Sequence, residues 1–148
     1  MMVGIPCVGK TTWIKNNIPN ITLISNDAFI EQYAKLEGLT YNQSFDRYAS
    51  KALKAAKDLA IRLSNSEEDC VQDNTNVSIK SRAKTLSLFS HYDEIIAVTF
   101  NITIPEHKRR IAQRRDKIIP TEVVESMSGR YQSPTKAEGF TRIIKVIV

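Results

Sequence analysis

The chain has 148 residues, 42% of them hydrophobic and 25% charged, which is the make-up of a single globular domain with a sizeable core. Its 21 Lys and Arg against 16 Asp and Glu leave a net charge of +5; that suits an anionic partner, but a bound nucleotide alone would satisfy it, so it is weak support for nucleic acid. No apolar run approaches the roughly 20 residues of a membrane span, no signal-peptide pattern opens the chain, and two cysteines make no disulfide framework, so a reducing, cytoplasmic setting (host cytoplasm for a viral protein) is expected.

In chain order, Met1-Met2-Val3 predicts a first strand, short enough to raise the expectation of further residues upstream. Directly behind it, Gly4-Ile5-Pro6-Cys7-Val8-Gly9-Lys10-Thr11 is a full GxxxxGK[ST] pattern, and Thr12-Trp13-Ile14-Lys15 predicts a helix leaving it. Strand, glycine loop and helix together point to a phosphate site rather than a bare tight turn. The glycines let the backbone curl so that N–H groups cradle a triphosphate at the positive end of the helix. Gly4, Pro6, Cys7, Val8, Gly9, Lys10, Thr11 and Thr12 are the expected contacts. Lys10 is expected to reach the β and γ phosphates and the Thr11 hydroxyl to ligate Mg²⁺, which makes ATP and Mg²⁺ the expected cofactors.

Ile21 to Ser25 predicts a second strand, with Asn26 or Asp27 able to cap a helix that begins through Ala28, Phe29 and Tyr33. From Asn42 to Leu63 the apolar residues Phe45, Tyr48, Ala49, Leu53, Ala56, Ala60 and Leu63 recur at helical steps and predict one core-facing stripe. Asp69 to Asp73 predicts a buried strand ending in a carboxylate; a helix over Ser78 to Phe89 follows, with Ile79, Ala83, Leu86 and Phe89 on one face. Glu94 to Phe100 is a continuous apolar strand. A basic helix from Glu106 to Arg115 and another behind Pro120 precede a last strand, Arg142 to Val148. The alternation predicts an α/β fold of the P-loop NTPase and kinase type. We expect a mainly parallel five-stranded sheet flanked by helices, one domain over 1–148, and a helical lid at about 105–130.

Open α/β sheets bind ligands at the carboxyl ends of their strands, where the phosphate loop, Asp27 and Asp73 are expected to meet. Asp27 has two readings: it accepts or orients a hydroxyl proton for phosphoryl transfer, or it caps a helix. Asp73 can hold Mg²⁺ through water or contact an acceptor, or serve only the turn Asp73-Asn74-Thr75-Asn76. In the charge-dense run from His107 to Lys117, Arg110 and Arg114 lie four apart, hence on one helix face. Two guanidinium groups there can clamp a γ-phosphate and offset transition-state charge, or be a solvated face.

Together these segments resemble the 5′-hydroxyl polynucleotide kinase family, both the phage enzyme and the kinase domain of the animal enzyme. The similar segments are the loop with its Pro6 and following Trp13, Asp27 after the second strand, and Asp73-Asn74-Thr75-Asn76 with Ser81-Arg82. Further along come Arg110 and Arg114 with Ile119-Pro120, Met127, and Pro134-Thr135-Lys136-Ala137-Glu138-Gly139-Phe140. The resemblance implies an ATP-dependent kinase in which Lys10, Asp27, Arg110 and Arg114 carry the transfer, Asp27, Asp73 and Thr75 face the acceptor, and Arg114 also holds the nucleotide. Phage kinases place an arginine three residues after the base where this chain has Ile30, a departure that bears on nucleic-acid binding. The phosphatase signature DxDxT is absent, so no 3′-end activity is expected. The leading expectation is a polynucleotide 5′-hydroxyl as acceptor, followed by a nucleoside or other small molecule on the same fold, then a non-catalytic nucleotide-binding module.

Overall fold

Apolar runs separated by helical segments are spaced for parallel pairing, because a crossover helix brings the chain back to the end of the sheet where the previous strand began. The computed structural model, which describes residues 1–115 and 117–148, follows that rule. Its elements are β1 (Met2–Val3), α1 (Lys10–Asn17), β2 (Thr22–Ile24), α2 (Asn26–Glu37), α3 (Tyr41–Ser66), β3 (Cys70–Gln72), α4 (Ile79–Leu88), β4 (Ile96–Asn101), α5 (Ile104–Gln113), α6 (Thr121–Gly129) and β5 (Arg142–Ile147), with a single 3₁₀ turn at Lys136–Glu138. Every strand pairing is parallel. Among the described residues no helix is long and apolar enough to cross a membrane.

The five expected strands are present, but the single five-stranded sheet is not: they form one ladder in the order β1-β4-β5 and a second of β2 with β3. β1, two residues long, ladders with β4 alone. Towards β3 it is joined by other means. The Gly4 N–H donates to Thr75 O at 2.9 Å and the Asn76 side chain donates to Met2 O at 2.8 Å. The core crosses this seam, because Met2, Ile14, Val71 and Val98 pack as one buried cluster. A cleft of about 750 Å³ opens at the amino ends of the strands, lined by Met1, Trp13, Cys70, Phe89, Tyr92 and Ile95 among others. It lies opposite the strand ends that carry the phosphate loop.

Two expected faces are corrected by the packing. On α3, Ala56, Ala60 and Leu63 are buried as expected, but Phe45 (48% exposed) and Leu53 (59%) face outwards, and Ser44 and Ala52 are buried in their place. The small residues let α3 approach α2, and the Ser44 hydroxyl donates to Ile30 O at 2.8 Å. On α4, Ala83 and Ile79 are exposed, and the residue that turns inward with Leu86 is Arg82, which is completely buried. Its guanidinium makes a two-pronged pair with Glu138 (2.7 and 2.9 Å) and donates to Asn76 O (3.0 Å) and Gln132 O (2.9 Å).

Arg82 thereby ties α4, the 3₁₀ turn and the loop after β3 into one unit, and Asn76 in that loop adopts the left-handed φ of 49°. Removing one partner of a buried, fully bonded pair leaves an uncompensated charge, at a cost of about 3–5 kcal/mol. Arg82→Met should lower unfolding stability by that order in urea titration, and Arg82→Met with Glu138→Leu should recover most of it. Equal loss in single and double variants would show that the pair carries no more than packing.

Candidate active site

The phosphate loop owes its shape to two glycines. A Cβ on Gly4 would sit 2.8 Å from a Val8 methyl, and Gly9 has φ +106°, a conformation L side chains avoid. Cys7 between them is also left-handed, at φ 66°. α1 starts at Lys10 with no side-chain cap and no acid in its first turn, so its N–H groups remain for an anion. Lys10 Nζ donates to Gly4 O (2.9 Å) and Ile5 O (3.0 Å), which bends it back over the loop. Burial lowers its pKa to about 8, against the partial offset of Asp73 and Asp27.

Asp73 follows β3 directly, and its N–H donates to Ile24 O at 2.9 Å, which holds the residue at the carboxyl end of the second ladder. There the Thr11 hydroxyl donates to Asp73 Oδ2 at 3.0 Å. Burial pushes the Asp73 carboxyl above its ordinary range, with Thr11 and Lys10 pulling the other way. A hydroxyl and a carboxylate oxygen brought together beside a phosphate loop are hard donors of the kind Mg²⁺ takes. Thr75 enters through its backbone, as the acceptor for Gly4 N–H. Thr12 lies exposed in the first turn of α1.

Asp27 does not cap α2. Ser25 does, its Oγ accepting from Ala28 N–H at 3.3 Å, so the capping alternative for Asn26 and Asp27 is not realised. The Asp27 carboxylate instead accepts from the Tyr41 hydroxyl at 2.6 Å and from Lys117 Nζ at 2.8 Å. Partial burial alone would raise its pKa; these two donors outweigh it and hold the carboxyl below its usual value. Lys117 also pairs with Glu31 at 2.9 Å and lies 4.0 Å from the centre of the Tyr41 ring. Burial and the hydrogen bond to Asp27 push the Tyr41 hydroxyl well above its ordinary pKa.

The two arginines reach the loop by a route other than the one expected. Arg114 is the extended C-cap of α5 rather than part of the helix, so it shares no helical face with Arg110. Both nevertheless converge on the loop: Arg110 Nη1 lies 3.5 Å from Val8 O and Arg114 Nη1 3.6 Å from Cys7 Sγ. Arg110 is further anchored by Glu106 at 2.7 Å. His107, whose role sequence reasoning missed, bonds Pro6 O at 2.8 Å through Nε2. Ile30 is 2% exposed and part of the core, so that position presents nothing to an acceptor; Glu31, the next residue, is the one that reaches the site. Within the run from His107 to Lys117, Asp116 lies outside the described residues.

Loop, strand ends and flanking helices define a P-loop kinase-like domain. The chain belongs to the AAA domain family, which matches residues 1–134. It is similar to the bifunctional polynucleotide phosphatase/kinase of Schizosaccharomyces pombe, with 26% identity over 99% of this chain, and spans 32% of that relative's length. Its fold resembles the crystal structure of a protein provisionally assigned as a kinase from Chloroflexus aurantiacus, at a TM-score of 0.56 and 16% identity, covering 99% of this chain and 82% of that one.

Proposed function

We propose that the protein is an ATP-dependent kinase that transfers the γ-phosphate to a hydroxyl, the 5′-hydroxyl of a polynucleotide. The observation that carries the transfer is the placement of a half-exposed Asp27 carboxylate with Lys10 and the Thr11–Asp73 pair around one end of the strands. In the reaction the acceptor hydroxyl gives its proton to Asp27, its oxygen bonds the γ-phosphorus, and the bridging P–O bond breaks with ADP taking the electron pair. Lys10, Arg110 and Arg114 would hold the phosphates and offset charge that grows in the transition state. Thr11 and Asp73 would hold Mg²⁺, which when bound supplies further charge compensation on the phosphates.

Support for a polynucleotide acceptor comes from the similarity to the fission-yeast phosphatase/kinase and from the wall beside Asp27. Tyr41 and Phe45 stand one turn apart on α3 with ring centres 6.2 Å apart, and Phe45 is 48% exposed. An exposed ring such as Phe45 offers a base a stacking face, which is how single-stranded nucleic acids are gripped without base readout. Incubation with γ-labelled ATP and Mg²⁺ should label 5′-hydroxyl oligonucleotides faster than free nucleosides or sugars. No label on any DNA or RNA end, with turnover on a small molecule, would move the acceptor to the second class, which the burial of Ile30 favours.

The same wall gives a finer test. Stacking on an aromatic ring is worth about 1–3 kcal/mol per base, so Phe45→Ala should raise the oligonucleotide KM roughly 5- to 150-fold with ATP KM unchanged. An unaltered oligonucleotide KM in steady-state labelling would remove Phe45 from the acceptor path.

A further inference from the structure

α5 and the chain that follows it touch both halves of the site. On the donor side, His107 holds Pro6 O and the two arginines reach Val8 O and Cys7 Sγ. Immediately beyond, Lys117 crosses to the acceptor side and inserts between α2 and α3, its side chain only 6% exposed. The next residue repeats the attachment: Asn42 Nδ2 donates to Ile118 O at 3.2 Å. One short stretch therefore grips the phosphate loop at one end and the helices that carry Asp27 at the other.

We propose that Lys117 is a positioning residue that clasps this lid to the acceptor helices, so that closure over the nucleotide and alignment of Asp27 become one coupled event. The inference rests on the kinase reading above for its consequence, although the clasp itself does not depend on the acceptor's identity.

Burial separates this contact from an ordinary surface ion pair. In Lys54–Asp58 the side chains are 77% and 57% exposed, and such pairs contribute little. Lys117 is enclosed, yet its two carboxylate partners, Asp27 and Glu31, remain 57% and 58% exposed. Withdrawal of Lys117 would return one cation to water and leave both carboxylates solvated, which makes the contact reversible rather than structural. An ammonium is suited to this use, as a compact charge whose three donors can be shared between two carboxylates. Tyr41 closes the group, giving its hydroxyl to one Asp27 oxygen while its ring lies under the ammonium that holds the other.

Energetic coupling between two sites is reciprocal. A nucleotide that draws the lid onto the loop through His107, Arg110 and Arg114 would also seat Lys117 and fix the start of α2 against the start of α3. Coupling of this kind commonly amounts to about 5- to 150-fold in affinity.

Hydrogen exchange with a non-hydrolysable ATP analogue and Mg²⁺ tests the clasp without relying on transfer. In the wild-type protein the analogue should slow exchange in the loop, residues 4–12, and also at the beginnings of α2 and α3. In Lys117→Met the loop effect should persist, which shows that the variant is folded and binds, while the effect at α2 and α3 disappears; Lys117→Arg should restore it in part. Undiminished slowing of α2 and α3 in Lys117→Met, or none in the wild type, overturns the proposal. In turnover the same variant should lower kcat and raise acceptor KM. Failure of the wild type to label any acceptor would count against the kinase reading alone, because the exchange result stands without it.

Discussion

Asp27→Asn is expected to lower phosphate transfer by about 10²- to 10⁴-fold while leaving nucleotide binding within about two-fold, which is the range assigned to loss of a general base. The substitution is close to isosteric. Its amide oxygen can still accept from Tyr41, whose hydroxyl lies 2.6 Å from Oδ1 in the native protein, and Lys117 keeps its pair with Glu31. What disappears is the capacity to take a proton. Because Ser25 caps α2, the change does not remove a cap, so thermal stability should move little. A pH profile adds a second reading. The Asp27 carboxyl is held below its ordinary value by Lys117 and Tyr41, so it stays ionised through the usual carboxylate range and protonates only below it. The limb that Asp27 contributes should therefore lie beneath about pH 4, the ordinary Asp pKa, with any earlier acid loss belonging to Asp73, whose carboxyl is raised, and the residual activity of Asp27→Asn should lack the Asp27 limb. Single-turnover labelling across pH measures both. Unchanged transfer in Asp27→Asn would assign the residue to anchoring Lys117 and leave the base to be found elsewhere.

What was legible in the sequence was local. The loop announces itself because its requirements, two glycines, a lysine and a hydroxyl, fall within eight consecutive residues. The strands were legible for the same reason, as short apolar runs between helical periods. Residues whose role depends on distant partners were not. Lys117 meets Asp27 across 90 residues, and His107 meets Pro6 across 101, and neither spacing leaves a mark on a charge run. Periodicity located α3 and its buried Ala56, Ala60 and Leu63 but not the packing of its first half on α2, where Ser44 and Ala52 are buried instead of Phe45 and Leu53. Arg82 was hidden by its charge, since nothing in a single sequence shows that Glu138 will be folded against it. The division of the sheet turned on the second edge of β1, where the Asn76 side chain takes Met2 O and Thr75 O takes the Gly4 N–H in place of a ladder with β3.

Lys10→Ala is expected to lower binding as well as transfer, because it removes charge from the nucleotide in both the ground state and the transition state. Removal of a single donor to developing charge commonly lowers turnover by about 10²- to 10³-fold, and weaker nucleotide binding should add to that. The fold should survive. Among the described residues Lys10 donates to Gly4 O and Ile5 O, while the loop is held independently by the Gly4 N–H bond to Thr75 O and by His107 on Pro6 O. Burial disfavours the ammonium and lowers its pKa to about 8, so removing it relieves a desolvation penalty and melting should not fall. The sign of the pH dependence follows. Below about pH 8 the free protein carries Lys10 charged and ready for phosphate. Above it the group is neutral, and nucleotide binding must take up a proton because the phosphates favour the charged form. Affinity for an ATP analogue should therefore decline from pH 8 to pH 9.5 in the wild type, accompanied by proton uptake in calorimetry with buffers of different ionisation enthalpy. In Lys10→Ala the residual binding should show neither effect. Proton uptake that persists in the variant would place the titrating group elsewhere in the loop, and undiminished transfer would remove Lys10 from the reaction.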